Sequence, residues 1–280
     1  MNKPTIAAAF IVKNEHGWIG PALDSVRSIV DELVVVDTGS DDDTAAEARA
    51  HGASVYAFPW QDDFAAARNA AIEKVQSDWI LMMDADEQFV AEDKEILHHV
   101  VEQPTADAYN IRIVSLAERP ENINEARVMR LFRNDPRIRY EGRVHEQLVP
   151  ALNKAHLAFT TADLRLLHYG YLPQMVQQRH KVQRNIALLQ KMMAERPQES
   201  YWPWQLAQTY LQSGKNLSEA LVLAQKVLQM PAPSSDMRPV FLMTLARIYM
   251  ARGQWLSART ALEEDAKEFP TYTDFRYYWG

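Results

Sequence analysis

The chain has 280 residues, enough to bury a large core and to form one big domain or two smaller ones. Apolar residues make up 47 % and charged residues 24 %, and 37 acids against 30 lysines and arginines leave a formal net charge of -7, which argues against nucleic acid as a partner. With no cysteine, disulfides, thiolate nucleophiles and Cys-ligated zinc are excluded. The apolar run Ile6–Val12 is too short for a secretory leader, and no run approaches the length of a membrane span. The expectation is a soluble cytoplasmic protein with at most peripheral contact at the inner face of a membrane.

In chain order, Thr5–Val12 reads as a first, central strand that ends at Lys13-Asn14-Glu15. Trp18–Ile29 carries Ile19, Leu23 and Val26 at helical spacing. Leu33–Val36 is a second buried strand ending in Asp37-Thr38-Gly39-Ser40, and Asp41 to Asp43 can cap a helix through Ala50. Ser54–Phe58 is a third strand. Asp62 or Asp63 can cap an Ala-rich helix over Phe64–Val75, and Trp79–Met83 is a fourth strand. Strand and helix in units of about thirty residues predict a parallel sheet with helices on both faces, and uniformly apolar strands agree with burial on both sides. A helix over Glu92–Val101 and strands over Tyr109–Leu116, Val128–Phe132 and Leu164–Leu167 follow. They predict mixed or antiparallel pairing that shapes the acceptor side, with a basic, aromatic loop at Arg137–Val144.

Leu172–Glu195 is a long amphipathic helix stopped by Arg196-Pro197. Behind it the pattern repeats: Leu206-Ala207, Tyr210 and Gly214 return thirty-nine positions later as Leu245-Ala246, Tyr249 and Gly253. That is a tetratricopeptide signature, whose period is about 34 residues, lengthened by the loop Pro231–Asp236. The division expected is a catalytic domain over 1–195 and tetratricopeptide-like helical repeats over 196–280. The repeats offer a surface for a protein partner, an acceptor or a second copy of the chain.

The chemistry concentrates in Trp79–Glu87, WILMMDADE. Ligands bind at the carboxyl ends of strands in open α/β sheets. Asp84 and Asp86 there repel each other unless a proton or cation relieves them. A hard divalent ion that also holds substrate phosphates would do so. The plain alternative is a solvated acidic turn. Asp37 suits a ribose hydroxyl or a base N–H, or else is an ordinary turn residue. Arg68 suits a diphosphate or a positioning carboxylate through its planar fork, and Arg139 and Arg143 offer charge to a diphosphate. In GRVHEQL, His145 can complete a metal shell and Glu146 can accept a proton, while His168 stands at another strand end. Neither a dinucleotide glycine fingerprint nor H-E-x-x-H is present.

Six segments, IVKNE (Ile11–Glu15), VDELVVVDTGSDDDT (Val30–Thr44), PWQDDFAAARN (Pro59–Asn69), WILMMDADE, YEGRVHE (Tyr140–Glu146) and LLHYGY (Leu166–Tyr171), occur in the order that resembles family 2 glycosyltransferases. The resemblance points to members related to lipopolysaccharide-core glucosyltransferases and to bacteriocin glycosyltransferases with helical-repeat tails. It implies an α/β GT-A nucleotide-diphospho-sugar transferase fold followed by the all-α tail, inverting transfer, a UDP-sugar donor, and a glycan, lipid or protein acceptor. It also implies Mg²⁺ or Mn²⁺. By resemblance Glu15 and Asp37 contact the nucleoside, with Asp63, Arg68, Asp84 and Arg143 around the donor. Asp84, Asp86, His145 and His168 are the metal candidates, and Glu146 with Arg68 the catalytic pair. Two departures stand out: Asp42-Asp43-Thr44 lacks the glycine common in the family, and a clean Q-x-x-R-W is missing. The alternatives are a catalytically inactive nucleotide-sugar-binding scaffold that recruits partners through its repeats, and a nucleotidyltransferase, which lacks support because no Gly-rich basic loop follows the first strand.

Overall fold

The computed structural model describes residues 3–116, 124–169, 175–234 and 237–269, which fall into two compact units, Met1–Gln174 and Met175–Gly280. The first is built on one eight-stranded sheet in the order β3-β2-β1-β4-β7-β6-β8-β5. Its strands are β1 (Ile6–Val12), β2 (Glu32–Asp37), β3 (Ser54–Ala57), β4 (Trp79–Met83), β5 (Glu87–Phe89), β6 (Ala108–Ser115), β7 (Asn124–Arg133) and β8 (Phe159–His168). The β1–β2, β1–β4, β2–β3 and β6–β8 pairs are parallel, whereas β4–β7, β6–β7 and β5–β8 are antiparallel.

Strand alternation sorts the core into two layers. From β1, Ile6, Ala8, Phe10 and Val12 face one side with Ile19, Leu23 and Val26 of α1 (Ile19–Val26) and Leu97 and Val101 of α4 (Lys94–Glu102). Ala7 and Ala9 face the other, with Ala65, Ala71 and Ile72 of α3 (Phe64–Ile72) and Leu152 of α5 (Val149–Ala155). The alanines of β1 and α3 let strand and helix approach closely. The uniformly apolar strands are therefore covered on both faces, as their sequence requires. The helix α2 (Thr44–Ala50) packs beside α1 and β3.

Register fixes the functional edge. Val12 lies opposite Asp37, and Phe10 opposite Met83, so the carboxyl ends of β1, β2 and β4 open on the same edge. The short β5 went unseen in the sequence: its three residues, Glu-Gln-Phe, have the length and polarity of a turn and gain strand form only by pairing with β8. β8 itself extends well upstream of Leu164, because its exposed first residues show no apolar run but pair in parallel with β6.

The second unit holds α6 (Met175–Glu195), α7 (Tyr201–Ser213), α8 (Leu217–Leu228), α9 (Met237–Ala251) and α10 (Trp255–Glu268), each packed on the next. The two compact units divide at 174/175, so α6 groups with the helices that follow it. An amphipathic helix needs a surface for its apolar stripe, and α6 finds one on α7, which carries it into the helical unit. Residues 172–174, the start of the expected long helix, lie outside the described residues, as do 170 and 171 at the end of the LLHYGY segment. The positions that recur thirty-nine apart play matching parts. Leu206, Ala207, Leu245 and Ala246 are buried, as are Ala220 and Ala258 in the following helices, and Gly214 and Gly253 take positive φ of 64° and 72° at the ends of α7 and α9. Trp204 donates to Thr244 Oγ1 at 2.9 Å and its ring lies 5.6 Å from that of Phe241, tying the two pairs together.

Candidate active site

At the end of β4 the backbone turns at once, with Glu87 N–H donating to Asp84 O, and β5 begins. Asp84, Asp86 and Glu87 are thus crowded into one turn, and each finds a different partner. Asp84 is gripped by two buried arginines: Arg68 Nη2 donates to Oδ1 at 2.8 Å and Arg130 Nη2 to Oδ2 at 2.6 Å. Burial alone would raise this carboxyl, but Arg130 and Arg68 outweigh it and hold Asp84 far below the usual carboxylate range. Glu87, 2 % exposed, accepts from Arg130 Nη2 at 2.9 Å and from the Asp84 backbone N–H at 2.8 Å. Burial, reinforced by the Asp84 charge, pushes it up to about 7 despite Arg130.

Asp86 points elsewhere. β5 pairs with β8 so that Glu87 faces His168, and the Asp86 carbonyl accepts from Tyr169 N–H. This brings His168 Nε2 to 3.2 Å from Asp86 Oδ2, while Nδ1 lies 3.4 Å from Ser115 Oγ. The Asp86 hydrogen bond raises the imidazole above its ordinary value, against the effect of burial.

Arg68 reaches this corner from α3. Asp63 caps that helix, accepting from Ala66 N–H at 2.9 Å, and lies 3.7 Å from Arg143 Nη1. Arg68 Nε donates to Glu146 Oε1 at 2.5 Å, so a single guanidinium bridges the acidic turn and the GRVHEQL loop. It also lies 5.6 Å over the ring of Tyr140. The loop is closed by reciprocal backbone bonds between Glu141 and Gln147 and by Asn69, whose amide bonds both backbone groups of Tyr140. His145 takes the left-handed conformation, φ 53°, and burial lowers its pKa although Glu146 pulls the other way. Its Nε2, the Tyr140 hydroxyl, Arg68 Nη1 and Arg130 Nε are buried without a partner among the described residues. The Tyr140 hydroxyl is pushed up to about 12 by burial.

On the neighbouring strand ends, Asp37 Oδ1 accepts from Gly39 N–H and Ser40 N–H, a local turn that orients the carboxylate. Glu15 N–H donates to Thr44 Oγ1 and Asn14 Oδ1 accepts from Asp41 N–H, stitching the β1 and β2 loops together.

The sequence-derived set is therefore partly assembled. Arg68, Asp84 and Glu146 form one cluster and Asp86 with His168 another, while Glu15 and Asp37 stand on adjacent strand ends. Among the described residues no three His, Asp or Glu side chains group as metal ligands. Asp63 caps its helix, as its place before the Ala-rich segment suggested. Arg139 donates Nη1 to the carbonyls of Asp135 and Ile138, serving its own loop. Arg130 was missed, although an arginine inside the apolar run VMRLF is a recognisable sign of a buried acidic partner.

The amino-acid sequence carries likenesses that can now be set against this geometry. Residues 9–150 match the model described as Glycosyl transferase family 2. The chain is 34 % identical over 258 residues to a TPR repeat-containing protein of Synechococcus elongatus, covering 89 % of this chain and 62 % of that one. It is 26 % identical over 281 residues to the SPbeta prophage-derived glycosyltransferase SunS of Bacillus subtilis, covering 98 % of this chain and 66 % of that protein. It thus spans less than two thirds of the length of either relative. Among solved structures, TarS 1-349 of S. aureus, crystallised in complex with UDP-GlcNAc, aligns with a TM-score of 0.55 at 12 % identity, covering 96 % of this chain and 93 % of that one, a likeness of fold. Among the described residues no helix is long and apolar enough to cross a membrane.

Proposed function

This chain belongs to glycosyl transferase family 2 and has a GT-A fold, and from that premise we propose that it transfers a sugar, with inversion, from a UDP-hexose to a hydroxyl of a cell-envelope glycan, lipid or protein. The observation that carries the reading is the division of labour in the acidic turn: Asp84 is locked by two arginines, while Asp86 stands apart beside His168.

A carboxylate and an imidazole 3.2 Å apart, each side chain about a quarter exposed (24 % and 24 %), suit a divalent cation whose remaining positions are filled by water and phosphate oxygens. Asp86 and His168 would hold Mg²⁺ or Mn²⁺, and Asp84 would not. When bound, the ion offsets the charge that grows on the leaving diphosphate. Glu15 and Asp37, on adjacent strand ends, take the nucleoside, and Arg143 lies on the donor side.

Arg68 positions both reacting partners. Its Nη2 fixes Asp84, leaving that carboxylate able to accept from a donor hydroxyl, and its Nε fixes Glu146 Oε1. Glu146 Oε2 then takes the proton from the acceptor hydroxyl as that oxygen bonds to the anomeric carbon and UDP departs. Asp86→Asn is expected to lower turnover of UDP-sugar by about 100-fold or more, judged by the size of comparable electrostatic deletions. An Asp86→Asn enzyme with undiminished turnover and unchanged Mn²⁺ dependence would overturn the assignment.

The tie between Glu146 and Arg68 also favours a second reading, a nucleotide-sugar-binding scaffold without turnover. UDP binding by calorimetry, with no transfer to a panel of cell-envelope acceptors, would select it. In either reading the helical unit consists of tetratricopeptide-like repeats that hold an acceptor, a protein partner or a second copy; in the first, the reaction takes place at the cytoplasmic face of the membrane. A lipopolysaccharide-core acceptor is the specific form of this proposal.

A further inference from the structure

The arginine of β7 has a place that packing alone does not explain. β7 runs antiparallel to β4, with Leu131 opposite Leu81, so Arg130 comes up beside the last residues of β4. It is 7 % exposed in the middle of a sheet, flanked by the buried Met129 and Leu131. One nitrogen, Nη2, serves both Asp84 Oδ2 and Glu87 Oε1, and Glu87 Oε2 returns to the Asp84 backbone N–H. The three contacts close a ring around the turn that carries Asp86. Arg130 Nε remains buried without a partner among the described residues. A group retained for stability alone would be expected to satisfy its donors, since an unmet buried donor is costly. Buried ion pairs can often be replaced by apolar residues with little loss of stability, so what this one secures is geometry.

We infer that Arg130 and Glu87 are positioning residues which hold the Asp84–Glu87 turn in the one shape that presents Asp86 to His168 and to the donor's phosphates. The pair acts through Asp84 and through the backbone of the turn; neither residue needs to touch substrate. The inference rests on the reading that this turn receives a nucleotide diphosphate, and its test separates the two.

The decisive variant joins Arg130→Met with Glu87→Leu, removing both charges while keeping volume. The expected result is a melting temperature near that of the unaltered chain. Amide exchange, read by mass spectrometry in the free protein, becomes faster in peptides covering residues 84–87 and Tyr169 and stays unchanged in β1 and β2. Calorimetry with UDP and Mn²⁺ shows affinity weaker by 10-fold or more. Arg130→Lys, which keeps the charge and much of the reach, recovers part of that affinity. Unchanged exchange and unchanged UDP·Mn²⁺ affinity in the double variant would overturn the inference. So would a global loss of folding together with an Arg130→Lys chain that binds and exchanges like the unaltered protein. Faster exchange in the turn, with no UDP binding even by the unaltered chain, would support the positioning role and sink the donor reading instead.

Discussion

Arg68 holds two carboxylates on one guanidinium, and that makes it more consequential than any single acid around it. Burial disfavours its charge, yet Asp84 and Glu146 more than restore it, so it is cationic at every accessible pH. Arg68→Ala would leave those acids without their cation, a loss on the order of 3 kcal/mol by analogy with other broken buried pairs. Arg68→Lys keeps the charge but cannot meet two carboxylates from the edges of one rigid plane. The lysine variant should therefore melt within a few degrees of the parent while kcat falls by about 100-fold, measurable by UDP release. His168 makes a second prediction at this scale. Its hydrogen bond to Asp86 raises it above 6.5, so the pair contributes stability that is full below 6.5 and is lost as pH rises through the raised value. Metal binding needs the neutral ring and runs the opposite way. Mn²⁺ affinity in the presence of UDP should fall as pH is lowered through that value, and His168→Gln should flatten the dependence in calorimetric titrations.

Elements that announce themselves by pattern were legible, and those made by their neighbours were not. β4 runs over Trp79–Met83, where five apolar residues between Asp78 and Asp84 leave little choice, and α3 begins at Phe64 behind Asp63. β5 and the first half of β8 are set by pairing across the sheet, which a local reading cannot see. The site divides in the same way. Acids and histidines at strand ends could be read, but the partners that decide their roles, Arg130 for Asp84 and His168 for Asp86, come from distant strands. Asp63 carries a part that belongs to its own element. Its carboxylate accepts from Ala66 N–H at the start of α3, so Asp63→Ala should cost about 1 kcal/mol. In a unit of this size that lowers the melting temperature by roughly 2–4 °C. UDP affinity should stay within about 3-fold; a larger loss would place Asp63 in the donor site as well.

At the scale of the whole chain, every residue assigned to donor binding or to the reaction lies in the first compact unit, from Glu15 to His168. That unit owns both apolar layers of its sheet: the cores on either side of β1 draw their residues from within it. The helical unit has its own core, in which Leu242, Met243 and Ala246 of α9 meet Leu262 of α10, and it exposes Trp255, Leu256 and Val222 on α10 and α8. Its helices bury apolar residues on one another within the unit, so its stability is largely its own. A chain cut after residue 174 should therefore fold, with a cooperative melt, and should bind UDP with Mn²⁺ within about 3-fold of the full chain. What it should lose is turnover on a macromolecular acceptor, while slow hydrolysis of the donor by water survives. Isothermal titration and UDP release, measured on both chains, give the comparison. If the shortened chain folds but no longer binds UDP, the helical unit supplies part of the donor site, and confining that site to the sheet's carboxyl edge is wrong.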